Sequence, residues 1–153
     1  MPTVSAPAVP RLLLDVNVWV ALLDDAHVYN AQALALFQSS PPRRIATCPL
    51  IENGVLRILN LPSYSTRGPL GFEPVRDKLN LACSDVDHEF WPDDLSLRDD
   101  ELIDWRRIFG HNQITDVYLL ALAVSRGGAL ATFDHRVALS AVKGAGKQHL
   151  LLI

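Results

Sequence analysis

Leu12-Leu13-Leu14-Asp15-Val16-Asn17-Val18-Trp19 is the stretch on which the fold turns. Three consecutive leucines suit a short strand buried on both faces, the pattern of a parallel sheet covered by helices. An acid ends the run at once, and Val18–Leu23 then reads as a helix. Strand, polar junction and helix together form the opening of an α/β unit. Upstream, Met1–Pro10 holds three prolines and small residues and reads as a loose leader ahead of a domain over 11–153. It has neither the positive start nor the apolar core of a signal peptide.

Downstream the same alternation continues. A second helix is expected over Tyr29–Phe37, stopped by Ser39-Ser40-Pro41-Pro42. Ile45–Cys48 is the second strand, and Pro49 suits the first position of a helix over Leu50–Leu59. Leu61–Gly71 is a loop, Glu73–Cys83 a helix and His88–Trp91 a third strand. Ser96, with Asp99 three positions later, resembles a capping box and predicts a helix over Asp99–Phe109. Gly110–Gln113 is a turn before an apolar helix, Thr115–Ser125, which Gly127-Gly128 caps. The fourth strand, Ala129–Phe133, a short helix near Arg136–Val142 and a terminal strand, His149–Ile153, complete the series. Alternating elements imply right-handed crossovers and a mostly parallel sheet with helices on both faces.

Composition narrows the function. With 153 residues, 49% of them hydrophobic and 20% charged, the chain is neither disordered nor too small for one core. Its formal charge of −3 advertises no basic field for a polyanion, so such a partner needs a local device. No run of 18 apolar residues predicts a membrane span. Cys48 and Cys83 are too few for a disulfide framework and lack metal-ligand spacing, which fits a reducing, cytoplasmic setting.

Ligands of open parallel sheets bind beyond the carboxyl ends of the strands. Asp15 follows the first strand, Glu52 lies in the first turn after the second, Asp116 opens the helix leading to the fourth, and Asp134 follows the fourth. Taken singly, Asp15 is equally well a helix cap, Glu52 and Asp116 complement helix dipoles, and Asp134 is a turn residue. Together they form a problem of charge. Two carboxylates ~6 Å apart at an effective dielectric of ~20 repel by roughly 3 kcal/mol. Four on one rim must hold protons or share a cation. An all-oxygen donor set favours Mg²⁺, with Mn²⁺ possible, over zinc. Such an ion suits a phosphodiester attacked by water, and it bridges an acidic site to a polyanion.

Four stretches carry a resemblance: Leu13 to Trp19, Thr47 to Arg57, Thr115 to Ala123, and Ala131-Thr132-Phe133-Asp134. Residues and spacing resemble the PIN-domain family, in particular the VapC-type toxins of bacterial toxin–antitoxin pairs, over nearly the whole chain from Arg11. The resemblance implies a metal-dependent ribonuclease on a five-stranded parallel sheet of order 3-2-1-4-5, with Asp15 and Asp134 flanking the switch point. It carries the family's acidic quartet onto Asp15, Glu52, Asp116 and Asp134. It also makes Asn17 the small polar residue two beyond the first acid, and Thr115 the hydroxyl before the third. A homodimer and a cognate antitoxin partner are implied as well. The leader is longer than such toxins usually carry.

Arg57 is a weaker candidate for RNA contact, with a solvated surface arginine as the plainer reading. Arg43-Arg44, Arg67 and Arg106-Arg107 are further surface candidates. His135 and Asn112 read as turn residues near the rim, and Trp19, Trp91 and Trp105 as core or interface anchors. Asp-nucleophile phosphatases share the strand ending in Asp but want a second Asp where Asn17 stands. Phosphoaspartate receiver domains need paired acids and a late Lys that this chain does not offer. The remaining alternative is a non-catalytic, metal-binding PIN module that binds RNA or a protein partner; retention of all four acids disfavours it.

Overall fold

The computed structural model describes residues 9–153; residues 1–8, most of the expected leader, lie outside the described residues. The triple leucine forms β1 (Leu12–Leu14), and its three side chains are essentially inaccessible. There follow α1 (Val16–Leu23), α2 (Asn30–Phe37), β2 (Arg44–Thr47) and α3 (Pro49–Ile58). Next come α4 (Phe72–Ser84), β3 (Asp87–Phe90), α5 (Ile114–Ser125), β4 (Ala129–Thr132) and β5 (Leu150–Leu152). All neighbouring strands are parallel, in the order β3-β2-β1-β4-β5.

The central position of β1 explains its sequence. It pairs with β2 on one side (Leu13 opposite Ala46) and β4 on the other (Leu13 opposite Leu130), while helices cover both faces, so no side chain of β1 meets water. The chain winds outward through β2 and β3, then crosses back to β4 and β5. The switch point therefore lies between the carboxyl ends of β1 and β4.

Trp19 is fully buried, edge-on to Phe37 at a ring separation of 6.4 Å. Trp91 is buried too, its indole N–H donating to Glu89 Oε1 at 2.9 Å. Of the two roles expected for Trp105, core or interface anchor, its 43% exposure removes the core one. At the entry to β4 the backbone passes so close to its neighbours that a Cβ on Gly128 would stand 2.6 Å from the Arg11 carbonyl oxygen and 2.9 Å from Trp91 Cη2. Gly127 before it has φ +67°, the left-handed helix stop that glycine permits.

Two expected helices are absent. Over 99–109 there are turns and a short 3₁₀ segment (Trp105–Arg107), and over 136–142 only a 3₁₀ turn, Leu139–Ala141. The capping side chains do act, but on local turns. Ser96 Oγ accepts from Arg98 N, Asp99 Oδ1 from Glu101 N and Asp104 Oδ1 from Arg106 N. Such bonds offer the backbone an alternative to a helix. The two segments also satisfy each other: Asp104 N donates to Ala141 O at 2.9 Å, Lys143 N to Leu102 O at 2.8 Å, and Ile103 bridges Val142 antiparallel. Among the described residues no helix is long and apolar enough to cross a membrane.

Candidate active site

Asp15 leaves the end of β1 and is only 5% exposed. One carboxylate oxygen accepts from Val16 N at 2.7 Å, which caps α1; the other accepts from the Thr132 hydroxyl at 2.7 Å. Burial pushes its pKa up; these two bonds oppose the rise, and the charge of Asp134 adds to it. Thr132, the last residue of β4, is fully buried, and its hydroxyl serves three groups. Besides donating to Asp15 it accepts from Asn17 Nδ2 at 3.3 Å and from Asp134 N at 3.0 Å. One donor and two acceptor sites are all that a hydroxyl offers, so Thr132 is saturated. It ties the ends of the two central strands together and aims the backbone that carries Asp134.

Asp134 Oδ1 accepts from the Arg136 backbone N–H at 2.8 Å and guanidinium Nε at 3.2 Å, and that arginine holds its carboxyl below the usual range. Asp116, in the first turn of α5, faces the same cleft. Its burial, with the charges of Asp15 and Asp134, pushes its pKa up to about 7 against the partial relief of Arg136. The cleft, of about 800 Å³, is thus lined by Asp15, Asn17, Asp116 and Asp134, with Asn112 and His135 at its rim.

Glu52 is not among these lining residues. It lies in the first turn of α3, at the same sheet edge, but its carboxylate accepts from the Thr47 hydroxyl at 3.1 Å. That hydroxyl is 2.7 Å from His88 Nε2 on β3, and the charge of Glu52 acts on His88 and on Cys83 of α4. Glu52 therefore faces the β3 side. Thr115 is exposed and lines a separate depression with Leu50, Leu97 and Tyr118; α5 begins at Ile114, ahead of it. Arg57 is exposed in the last turn of α3, outside the cleft lining, whereas Ile58 beside it lines the cleft. Two residues of the site, Thr132 and Arg136, have no role in the sequence reading. Thr132 stands inside one of the stretches carrying the resemblance, but its partners Asp15 and Asn17 come from the other end of the chain.

Among the described residues, no group of three or more His, Cys, Asp or Glu side chains is drawn together tightly enough to hold an ion as it stands. The donor chemistry nevertheless fits a divalent cation. Three carboxylates from three elements face one cleft, where burial first and their mutual repulsion second raise the pKa of Asp116. An oxygen-only set suits a hard ion. Thiol chemistry does not fit, because burial pushes Cys48 up to about 12 and Cys83 up to about 11.

Comparison with known proteins agrees with this architecture. The PIN domain family model matches residues 12–144. Ribonuclease VapC44 of Mycobacterium tuberculosis is 43% identical over 140 residues, covering 92% of this chain and 97% of that protein. Ribonuclease VapC38 of the same organism is 38% identical over 122 residues, covering 80% and 84% respectively. The crystal structure of M. tuberculosis VapC20, described as a sarcin-ricin loop cleaving toxin, superposes with a TM-score of 0.57 at 16% identity, over 89% of this chain and 97% of that one. At that identity the superposition speaks for the fold. The chain belongs to the PIN-domain family and, within it, to the VapC proteins.

Proposed function

We propose that the chain is a divalent-metal-dependent endoribonuclease, the toxin of a toxin–antitoxin pair. The observation that carries the reading is the convergence of Asp15, Asp116 and Asp134 on one cleft at the switch point between β1 and β4. These three would hold Mg²⁺, or Mn²⁺ in its place. A bound ion of this kind supplies charge neutralisation at the scissile phosphate and Lewis acidity toward the attacking water.

The chain's own residues supply the geometry. Val16 N and the Thr132 hydroxyl fix both oxygens of Asp15, and Asn17 braces Thr132. Arg136 pairs with Asp134, and an ion held there would share that carboxylate with it. Glu52 would serve as a fourth acid only by leaving the Thr47 hydroxyl, from which it accepts. RNA as substrate is supported by the chain's likeness to proteins named ribonucleases; an antitoxin partner and pairing with a second copy are what the family resemblance implies. A cytoplasmic setting is supported by the cysteine count, two being too few for a disulfide framework.

The test is incubation of the purified protein with total RNA in Mg²⁺ and in chelator, followed by mapping of the new RNA ends. Cleavage is expected only with the ion, and Asp15→Asn or Asp116→Asn should lower it by well over the ~10–100-fold typical of outer-shell changes. Glu52→Gln should lower it less. Cleavage undiminished in chelator, or in Asp15→Asn, would overturn the reading. Ion binding without RNA turnover would instead favour a non-catalytic binding module.

A further inference from the structure

One wall of the acidic cleft is aromatic. Tyr29, at the start of α2, and Phe133, between Thr132 and Asp134, stack with ring centroids 5.1 Å apart and planes inclined by 29°. His27 lies beside Tyr29, its ring centre 5.9 Å away and tilted by 43°. All three line the cleft shared by Asp15, Asp116 and Asp134. Phe133 is half-buried, but Tyr29 is 48% exposed.

From this juxtaposition we propose that Tyr29, backed by Phe133, is a stacking platform for an unpaired RNA base beside the cleaved phosphodiester. The inference rests on the ribonuclease reading of the same cleft and adds to it where the substrate strand is gripped. Charge gives such a platform a use beside the ion. The chain carries −3 overall, and the cleft holds three carboxylates against one guanidinium, Arg136, which is already paired with Asp134. A polyanion gains little Coulomb attraction from protein groups here. Stacking on an aromatic face is independent of phosphate charge, is open to every base, and is a recurrent means of holding single-stranded RNA. The position also suits the chemistry: Phe133 and the acid Asp134 are consecutive, so the platform and the carboxylates belong to the same cleft.

The plainer role for Tyr29 is to shield Phe133 from water, and the experiment separates the two. Binding is measured on an Asp116→Asn background, so that the probe survives, with a short single-stranded oligoadenylate carrying one 2-aminopurine at each position in turn. The expected result is fluorescence quenching at one position. Tyr29→Phe should retain affinity and quenching. Tyr29→Leu, which keeps an apolar cover over Phe133, should lose the quenching and bind about tenfold more weakly, the size expected for one lost stacked base. An abasic site at the quenched position should weaken binding to the Tyr29 protein about tenfold and leave the Tyr29→Leu variant unchanged. The abasic arm needs no substitution at Tyr29, so misfolding of a variant cannot mask the answer. RNA binding with equal affinity and quenching in Tyr29→Leu overturns the platform alone. Absence of binding here with RNA cleavage intact in the unsubstituted protein overturns the platform alone; absence of both removes the ribonuclease reading as well.

Discussion

A single hydroxyl, that of Thr132, decides the shape of the acidic site. It gives Asp15 one of its two hydrogen bonds and accepts from both Asn17 and the Asp134 backbone. Thr132→Val keeps the β-branched shape and removes all three bonds. The buried Asp15 carboxylate then loses a donor while two N–H groups lose their acceptor, which costs ~1–3 kcal/mol. Binding of Mg²⁺ should weaken about 10–100-fold, as for loss of an outer-shell partner. Thr132→Ser should restore both. Urea melts and calorimetric titration with Mg²⁺ read the two quantities, and a Val variant indistinguishable from the Ser variant in both would remove Thr132 from the site. Threonine at the end of a strand is unremarkable in a sequence; its partners Asp15 and Asn17 lie more than a hundred residues away. The acids were legible because an ion needs charge at strand ends wherever they meet. The direction in which Glu52 points was not, since Thr47 takes it by a hydrogen bond that leaves no pattern in the chain.

At the scale of elements, local signals named the strands and helices that stand on local causes. The triple leucine, Pro49 at the start of α3 and the glycine pair after α5 all act within a few residues. The expected helices over 99–109 and 136–142 failed because each segment answers to the other: their backbone groups pair across about forty residues of sequence. Ser96 and Asp99 were read as helix-starting residues, and both do accept backbone N–H bonds, but the turns they build go no further. Strand order came from family resemblance, not from any local pattern. Gly128 is a position where element packing makes a sharp demand. Gly128→Ala forces a methyl into the Arg11 carbonyl and the buried Trp91 ring, neither of which is a flexible tip. Overpacking of this kind costs ~1–3 kcal/mol. The expected outcome is a lower urea midpoint with an unchanged denaturant slope; an unaltered midpoint would show that β1 and β4 can part at no cost.

For the whole molecule, the concentration of negative charge at the switch point makes stability depend on pH and on cations. Asp116 keeps its proton in the folded chain up to about 7, against an ordinary value of 3.8. Between those values the folded state binds more protons than the unfolded one, so stability must fall as pH rises. The favourable contribution is complete below about 3.8 and lost above about 7. Asp15, also raised, acts in the same direction, whereas Asp134, lowered by Arg136, exerts its pH dependence below 3.8, outside this window. Asp116 is partly open to solvent, so the loss is discounted to the order of 1–2 kcal/mol. A divalent ion binding only the folded state reverses it, by ~2.7 kcal/mol at a hundred times its dissociation constant. In chelator the melting temperature should therefore decline from about pH 5 to pH 8, and Mg²⁺ should restore it most strongly at the alkaline end. Asp116→Asn, which removes the charge, should melt higher than the parent at about pH 8 in chelator and gain little from Mg²⁺. A pH-independent melt in chelator, together with equal Mg²⁺ responses in parent and variant, would mean that the three carboxylates do not act as one electrostatic unit.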